Sequence, residues 1–403
     1  MLLLRTLRPL LSYSLLGGGS SATINNKAHL LLRPLISTRT RTTTRASFFA
    51  STAAVTTIME SHKRSKLDDT VSDKTIGTHS GSFQADEAMG VWMLRQLNEY
   101  RHSKVVRTRD PEVLNSLDIV IDVGGIYDHS KLRYDHHQRD YDERFDEERC
   151  TKLSASGLVY RHYGKDVIKA YYPTLTEAQL DLVHLKLYDS LMEALDAIDT
   201  GVEQFSGSDV SVLWKDNTGL ASRVGRLNPR WNEVDANGEP PSPDDRFEQA
   251  SAICGEDFLS VLTKVVESDL PARAFVEKSV LARHETDPSG EIIKFESGGL
   301  PWRNHLYDLE KELQVDPLIK FVLYTDQAGM WRIQAVTVEG KSFENRLSLP
   351  KEWRGVRDAD LTKVTNIPGS RFCHAAGFIG GNDTYEGALA MAKEALARKS
   401  AED

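Results

Sequence analysis

Regular patterning of apolar and polar positions begins near Lys74. The stretch "KTIGTHSG" reads as a short strand running into a loop. In "DEAMGVWMLRQLNEY" the apolar residues recur at helical spacing. Asp86 and Glu87 fall in the first turn of that helix, where the helix end favours negative charge. "KVVRTRDP" predicts a second strand, "LDIVIDVGG" a third and "KLRYDHH" a shorter fourth. Strands alternating with helices imply an α/β fold with a doubly wound, mainly parallel sheet. In such sheets functional groups collect beyond the carboxyl ends of the strands. His79, Asp122 and the run Asp135, His136, His137 all fall at strand ends.

From Ser154 to about Ile198 the pattern is helical, and Asp199, Thr200 and Gly201 mark the exit. A turn-rich loop, "NPRWNEVDANGEPPSPDD", precedes two more helices between Arg246 and His284. Beyond "DPSG" the runs "EIIKFES", "IKFVLYTD" and "MWRIQAVTVE" are strand-like, with "DQAG" as a hairpin turn. The end, "SRFCHAAGFIGGNDTYEGALAMAKEALA", reads as strand, glycine turn and terminal helix. The expected organisation is a sheet domain over 74–204, a mainly helical connecting region over 205–288 and a second, smaller α/β domain over 289–403.

Charge changes the picture at the N-terminal end. Residues 1–59 hold no Asp or Glu but seven basic residues, amid Leu, Ser, Thr and Ala. That composition is the mark of a mitochondrial transit peptide, and a secretory signal fits less well because Arg5 and Arg8 interrupt the leucines. Residues 60–73, with the short basic cluster "ESHKRSK", read as linker, and translation from Met59 would give a second form without the presequence. The whole chain carries a net charge of −9. A polyanionic substrate therefore needs locally focused cations. Three widely spaced cysteines argue against a disulfide framework or a zinc ribbon. No apolar run is long enough to span a bilayer, so no stable membrane insertion is expected.

Four separated turns carry the chemistry: "THSGSFQADEA" with His79 and Asp86, "VIDVGG" with Asp122, "YDHHQR", and "EALDAIDTG" with Asp196 and Asp199. Carboxylates and imidazoles without thiolates suit Mn²⁺ or Mg²⁺ better than structural zinc. Converging, they can hold two such ions and clamp both oxygens of a phosphoryl displacement. Glu87 reads as a helix N-terminal charge. His184 and His305 read as structural.

These motifs, in this order, resemble the DHH phosphoesterase superfamily. The longer runs "VRTRDP", "DVGGIYD", "TKLSASGLVY", "LDAIDTG", "YTDQAGMWRIQAV", "WRGVRD" and "HAAGFIGG" resemble the melanocyte-proliferating-gene (MYG) family within it. The resemblance runs from about Lys74 to the terminal helix. It implies a two-metal phosphodiesterase, a 3′-to-5′ RNA exonuclease of mitochondria and nucleus, in which a metal-activated hydroxide attacks phosphorus. It further implies Asp86, Asp122, His136 and Asp199 as metal ligands, with His79 beside them and Asp196 in reserve. Asp135 would orient His136, and His137 would face the scissile phosphate as donor or general acid. Gln84 stands where family members often carry His, and its amide oxygen is a candidate ligand. The glycine-rich element, at Gly380 and Gly381, would hold substrate, with Arg346, Arg354, Arg357 and Arg371 as candidate cations. Two other readings stay open: a phosphatase or phosphodiesterase of small anions such as oligoribonucleotides or pyrophosphate, and a non-catalytic RNA- or metabolite-binding regulator that retains the fold.

Overall fold

The computed structural model describes residues 74–205, 214–234 and 237–402. The expected presequence and linker lie outside these residues. Strand β1 (Thr75–Thr78) leads through the THSGSFQ loop into helix α1 (Ala85–Leu94), followed by β2 (Lys104–Arg107), the short α2 (Pro111–Asn115), β3 (Ile119–Ile121), β4 (Tyr127–Asp128) and β5 (Arg133–Tyr134). The strand order is β2-β1-β3-β5-β4. The first four are mutually parallel and β4 pairs antiparallel with β5. The sheet is thus mainly parallel, with an antiparallel edge strand that the alternation pattern does not announce. No helix separates β3 from β5. The chain instead doubles back through β4 and a 3-10 turn.

Successive side chains of a strand point to opposite faces, and here both faces are covered. Ile76, Ile119 and Ile121 join the main core with α1, while Val120 packs with Leu114 and Leu117 from the α2 side. Helix α1 is buried nearly all round, between α3 (Ala155–Tyr171) and, across it, α6 (Pro243–Lys264). Between them come α4 (Glu177–Leu187), a π-turn at Tyr188–Met192, and α5 (Glu193–Thr200). Helix α5 ends where Gly201 adopts φ +73°, the left-handed exit that glycine supplies at low cost.

After α7 (Leu270–Leu281) the second sheet is built from β6 (Ile292–Lys294), β7 (Phe321–Thr325), β8 (Trp331–Ala335), β9 (Ser370–Cys373) and β10 (Ile379–Asn382), in the order β6-β7-β8-β10-β9. Only the β6–β7 pair is parallel. Helices α8 (Arg303–Glu312), α9 (Asp358–Thr365) and α10 (Tyr385–Glu402) complete this part. Among the described residues no helix is long and apolar enough to cross a membrane.

Two expectations for this sheet need correction. Gly380 and Gly381 do not form a glycine turn. They lie in β10, hydrogen-bonded on both sides between β8 and β9. The turn falls earlier, at His374–Gly377. Glycine is required in the strand for space: a Cβ on Gly381 would lie 2.6 Å from the Phe372 ring, and one on Gly380 3.1 Å from Leu349. With their backbone engaged in the sheet, they offer no phosphate cradle. Arg346 is not a substrate cation either. It is buried, with Nη1 and Nη2 each 2.7 Å from Glu310 and Nη1 also donating to the Ile319 carbonyl at 2.9 Å. Arg371 is more exposed but already meets Asp383 at 2.6 Å and Asp358 at 3.6 Å.

Candidate metal centre

Because β1, β3 and β5 run parallel, the residues that follow them emerge at one rim of the sheet. His79 follows β1, Asp122 follows β3, and Asp135 to His137 follow β5. The first turn of α1 brings Asp86 and Glu87 to the same rim, and the last turn of α5 brings Asp199. Three overlapping groups of donor atoms result: His79, Glu87 and Asp122; Asp86, His136 and Asp199; and Asp122, Asp135, His136 and His137. Asp122 belongs to two of them. It also has φ +55°, a left-handed conformation unusual for a residue with a side chain but tolerated best by Asp and Asn. Its N–H donates to the Tyr134 carbonyl at 2.9 Å.

His79 Nε2 lies 3.0 Å from Glu87 Oε1 and 3.4 Å from Asp122 Oδ2. Its Nδ1 is 3.2 Å from the Ser80 carbonyl. That bond suits an Nδ1–H and turns Nε2 toward the two carboxylates. Burial alone would lower the His79 pKa, but Asp122 and Glu87 outweigh it and raise it to about 10. A proton here does the work of a cation. Asp122 is itself pushed up to about 7 by burial, against the pull of His79 and with Asp86 and Glu87 adding repulsion. Burial, then Asp86 and Asp122, push Asp199 up to about 9. His136 is lowered, mainly by burial. Its Nε2 sits 3.2 Å from Asp199 Oδ2, and its ring stacks on His137 at 4.1 Å.

The supports under these groups differ in part from expectation. Asp135 holds His137, not His136: Oδ1 accepts the His137 backbone N–H at 3.0 Å and lies 2.8 Å from its Nδ1, while Oδ2 accepts the Gly125 N–H. Asp196 has both oxygens engaged, by the Ser154 N–H at 3.0 Å and hydroxyl at 2.7 Å, and by the Tyr188 hydroxyl at 2.8 Å. A Cβ on Gly157 would fall 2.2 Å from Asp196 Oδ1, so α3 approaches this carboxylate closely only because it carries glycine there. Asp196 therefore acts as a strut and lies outside the three donor groups. It fixes Ser154, whose hydroxyl lies within hydrogen-bond distance of both Asp196 Oδ1 and Asp86 Oδ1 and shares its one proton between them, and the Ser156 N–H reaches that same Asp86 oxygen at 2.7 Å. Gln84 is exposed at the start of α1 and outside these groups of acids and histidines.

Glu87 is the residue that the sequence concealed. It does serve the helix start, since Oε1 accepts the Gln84 N–H at 2.9 Å. The same oxygen faces His79, and the side chain is fully buried. An acid directly beside Asp86 was the available signal, but a helix N-terminal role explained it too readily.

Five buried atoms in this cluster have no hydrogen-bond partner: Asp86 Oδ2, Glu87 Oε2, Asp122 Oδ1, His136 Nδ1 and Asp199 Oδ2. Buried polar atoms are rarely left unpaired, and buried carboxylates gathered this tightly repel one another. Hard divalent cations satisfy both demands, and the all-oxygen-and-nitrogen donor set fits Mn²⁺ or Mg²⁺. A stability consequence follows. In EDTA the folded pKa values of Asp122, Asp199 and His79 all exceed their unfolded values, so the folded state binds more protons between roughly pH 4 and 10. This stabilisation is complete at the acid end and lost as pH rises. Thermal melts in EDTA are expected to fall steadily from pH 5 to pH 9, with Mn²⁺ abolishing most of the fall. A flat or rising profile in EDTA would count against the cluster's electrostatics.

With the geometry in hand, comparison with known proteins gives its ancestry. The family model MYG1_exonuc, described as "Uncharacterised protein family (UPF0160)", matches residues 75–396. The chain is 45% identical over 343 residues to human "MYG1 exonuclease", covering 84% of this chain and 89% of that one. It is 41% identical over 344 residues to a MYG1 protein of Saccharomyces cerevisiae, covering 84% of this chain and all of the yeast one. A solved RecJ from Thermus thermophilus in complex with Mg²⁺ aligns with 87% of this chain and 52% of its own, at 14% identity and a TM-score of 0.20, too low to carry an argument. The family match and the identity to full-length relatives agree with the order of the acid- and histidine-bearing turns, and the chain belongs to the MYG1 family.

Proposed function

We propose that this protein is a divalent-cation-dependent phosphodiesterase that shortens RNA from its 3′ end, in mitochondria and in the nucleus. The observation that carries the reading is the buried rim cluster with its five unpartnered polar atoms. The name of the human relative, an exonuclease, points to a nucleic acid as the polymer. His79, Glu87 and Asp122 would hold one cation and Asp86, His136 and Asp199 a second. When bound, such ions act as Lewis acids that offset charge on the phosphoryl oxygens.

The chain's own residues do the rest. Asp135 accepts the Nδ1–H of His137 and so fixes the tautomer that leaves Nε2 available. The His137 side chain is 64% exposed while its neighbour His136 is 10% exposed, so Nε2 of His137 is the group that meets the substrate. In its protonated form Nε2 donates to the oxygen that leaves. Ser154 and Ser156 restrain one oxygen of Asp86, and Asp196 restrains Ser154. Mitochondrial import rests on the basic, acid-free composition of residues 1–59, and a form begun at Met59 would serve the nucleus.

Purified protein with Mn²⁺ and end-labelled RNA tests the activity. Stepwise shortening from the 3′ end is expected, with His136→Ala inactive. Degradation by His136→Ala at the wild-type rate, or shortening from the 5′ end, would contradict it. Fractionation of cells carrying a C-terminal tag tests location. Tagged protein found in neither mitochondria nor nucleus would refute it.

A further inference from the structure

The cluster is strongly acidic and so is the chain, yet its proposed substrate is a polyanion. Arg346 is committed to Glu310 and Arg371 meets Asp383, so neither is free to receive RNA. One segment stands out. From Trp214 to Trp231 the chain reads "WKDNTGLASRVGRLNPRW", with Lys215, Arg223, Arg226 and Arg230 against a single acid, Asp216. Its net charge is +3 in a chain of −9. Arg223 is paired with Asp257. Lys215 and Arg226 are exposed, and Arg230 remains 76% exposed despite a 3.3 Å contact with Glu233.

The apolar residues of this segment sort into two sets. Val224 is fully buried in the core that holds Phe83 and Phe247, and Leu220, Ala221 and Leu227 pack against that core. The two tryptophans do the opposite: Trp214 is 73% and Trp231 96% exposed. A segment whose short helix, Leu220–Gly225, buries Val224 and packs Leu220 against the core has no folding reason to leave its largest aromatic residues in water. Within the segment, Arg226 Nη1 donates to the Asn217 carbonyl at 2.8 Å, which fastens the stretch before the short helix Leu220–Gly225 to the residue that follows it.

The segment is also clamped to the loop that joins His79 to Asp86. Asn228 accepts the Phe83 N–H at 2.9 Å and donates to the Phe83 carbonyl at 2.8 Å. Phe83 lies in the loop between His79 and Asp86. Three residues beyond Asn228 stands Trp231. Aromatic faces interleaved with cations beside a phosphodiester site are what unpaired bases and their backbone require: bases stack on the rings and phosphates meet Lys and Arg.

We propose that the Trp214–Trp231 segment is a platform for single-stranded RNA, on which Trp214 and Trp231 stack bases and Lys215, Arg226 and Arg230 meet phosphates of the strand entering the metal centre. This inference rests on the reading of that centre as an RNA phosphodiesterase. Each stacked base contributes enough that removing its partner ring weakens binding about tenfold. Both tryptophans are on the surface, so truncating them does not threaten the fold.

The test measures binding and turnover separately. A fluorescein-labelled 12-nucleotide RNA is titrated in EDTA against wild type, Trp231→Ala, Trp214→Ala, the double variant and Trp231→Phe. Phe343→Ala is the control, a 99% exposed aromatic in the second-sheet region. Each Trp→Ala change is expected to weaken binding about tenfold, Trp231→Phe to restore most of it, and Phe343→Ala to match wild type. In Mn²⁺ the loss should appear in KM for the 12-mer and be at least tenfold smaller for a dinucleotide. Unchanged binding in the double variant overturns the platform, even where wild type degrades RNA as proposed. Conversely, weakened binding by the variants of a wild type that degrades no RNA sustains the platform and overturns the phosphodiesterase reading. If sedimentation instead shows the Trp→Ala changes splitting a dimer while RNA affinity stays constant, the faces cover a second copy of the chain and the proposal is refuted.

Discussion

Replacing Asp122 with Asn is expected to cut phosphodiester hydrolysis on the order of 10³-fold while leaving the fold intact or firmer. Asp122 is the one carboxylate shared between two of the donor groups. Its loss removes a ligand of the cation proposed beside His79 and Glu87, and with it several kcal/mol of charge stabilisation. Asparagine has the same shape and tolerates φ +55° as well as aspartate does. It also removes a charge that burial, Asp86 and Glu87 all oppose. In EDTA the variant should therefore melt no lower than wild type, and added Mn²⁺ should raise its melting temperature far less. Greater stability with lost activity is the signature of a site held in a costly arrangement for function. A variant that keeps more than a tenth of the wild-type rate would remove Asp122 from the centre.

The second large effect concerns stability alone. Arg346→Ala is expected to destabilise the protein by about 3–5 kcal/mol, because it strands a buried carboxylate. Glu310 is 4% exposed, and both of its oxygens meet the Arg346 guanidinium at 2.7 Å. The guanidinium also lies 5.3 Å from the Tyr307 ring centroid and donates to the Ile319 carbonyl. Urea denaturation measures the loss. Replacing both partners, Arg346→Leu with Glu310→Leu, should recover much of it, since the desolvation cost of the pair disappears along with the attraction. At temperatures where Arg346→Ala is folded, its KM for the proposed RNA substrate should equal that of wild type. A small loss of stability joined to a tenfold rise in KM would return Arg346 to the substrate.

The legible parts of the site were those where chemistry sits directly after an apolar strand. "IVIDVGG" and "RYDHHQR" announce both the strand and the rim residue, because a parallel sheet sends every strand end the same way. His79 was legible for the same reason. Asp199 was named from the family resemblance, and its place in the last turn of α5 brings it within 3.2 Å of His136 Nε2. The hydrogen bonds that engage Asp196 were not readable, since its partners Ser154 and Tyr188 come from two other places in the chain. The choice of Asp135 between two adjacent imidazoles depends on how the loop turns after β5, which spacing does not encode. Gly380 and Gly381 misled because paired glycines usually signal a turn. Here they signal a strand squeezed against Phe372 and Leu349. The antiparallel β4 is two residues long, too short for alternation to register.

The central claim is that residues distant in sequence enclose a pair of hard cations, and counting those cations tests it most directly. Equilibrium dialysis of the purified protein against Mn²⁺, with the bound metal measured per chain, should give two ions for wild type. His79→Ala and Asp199→Asn should each give one, and Asp122→Asn fewer than two. No bound Mn²⁺ in wild type, or two ions in all three variants, would contradict the account.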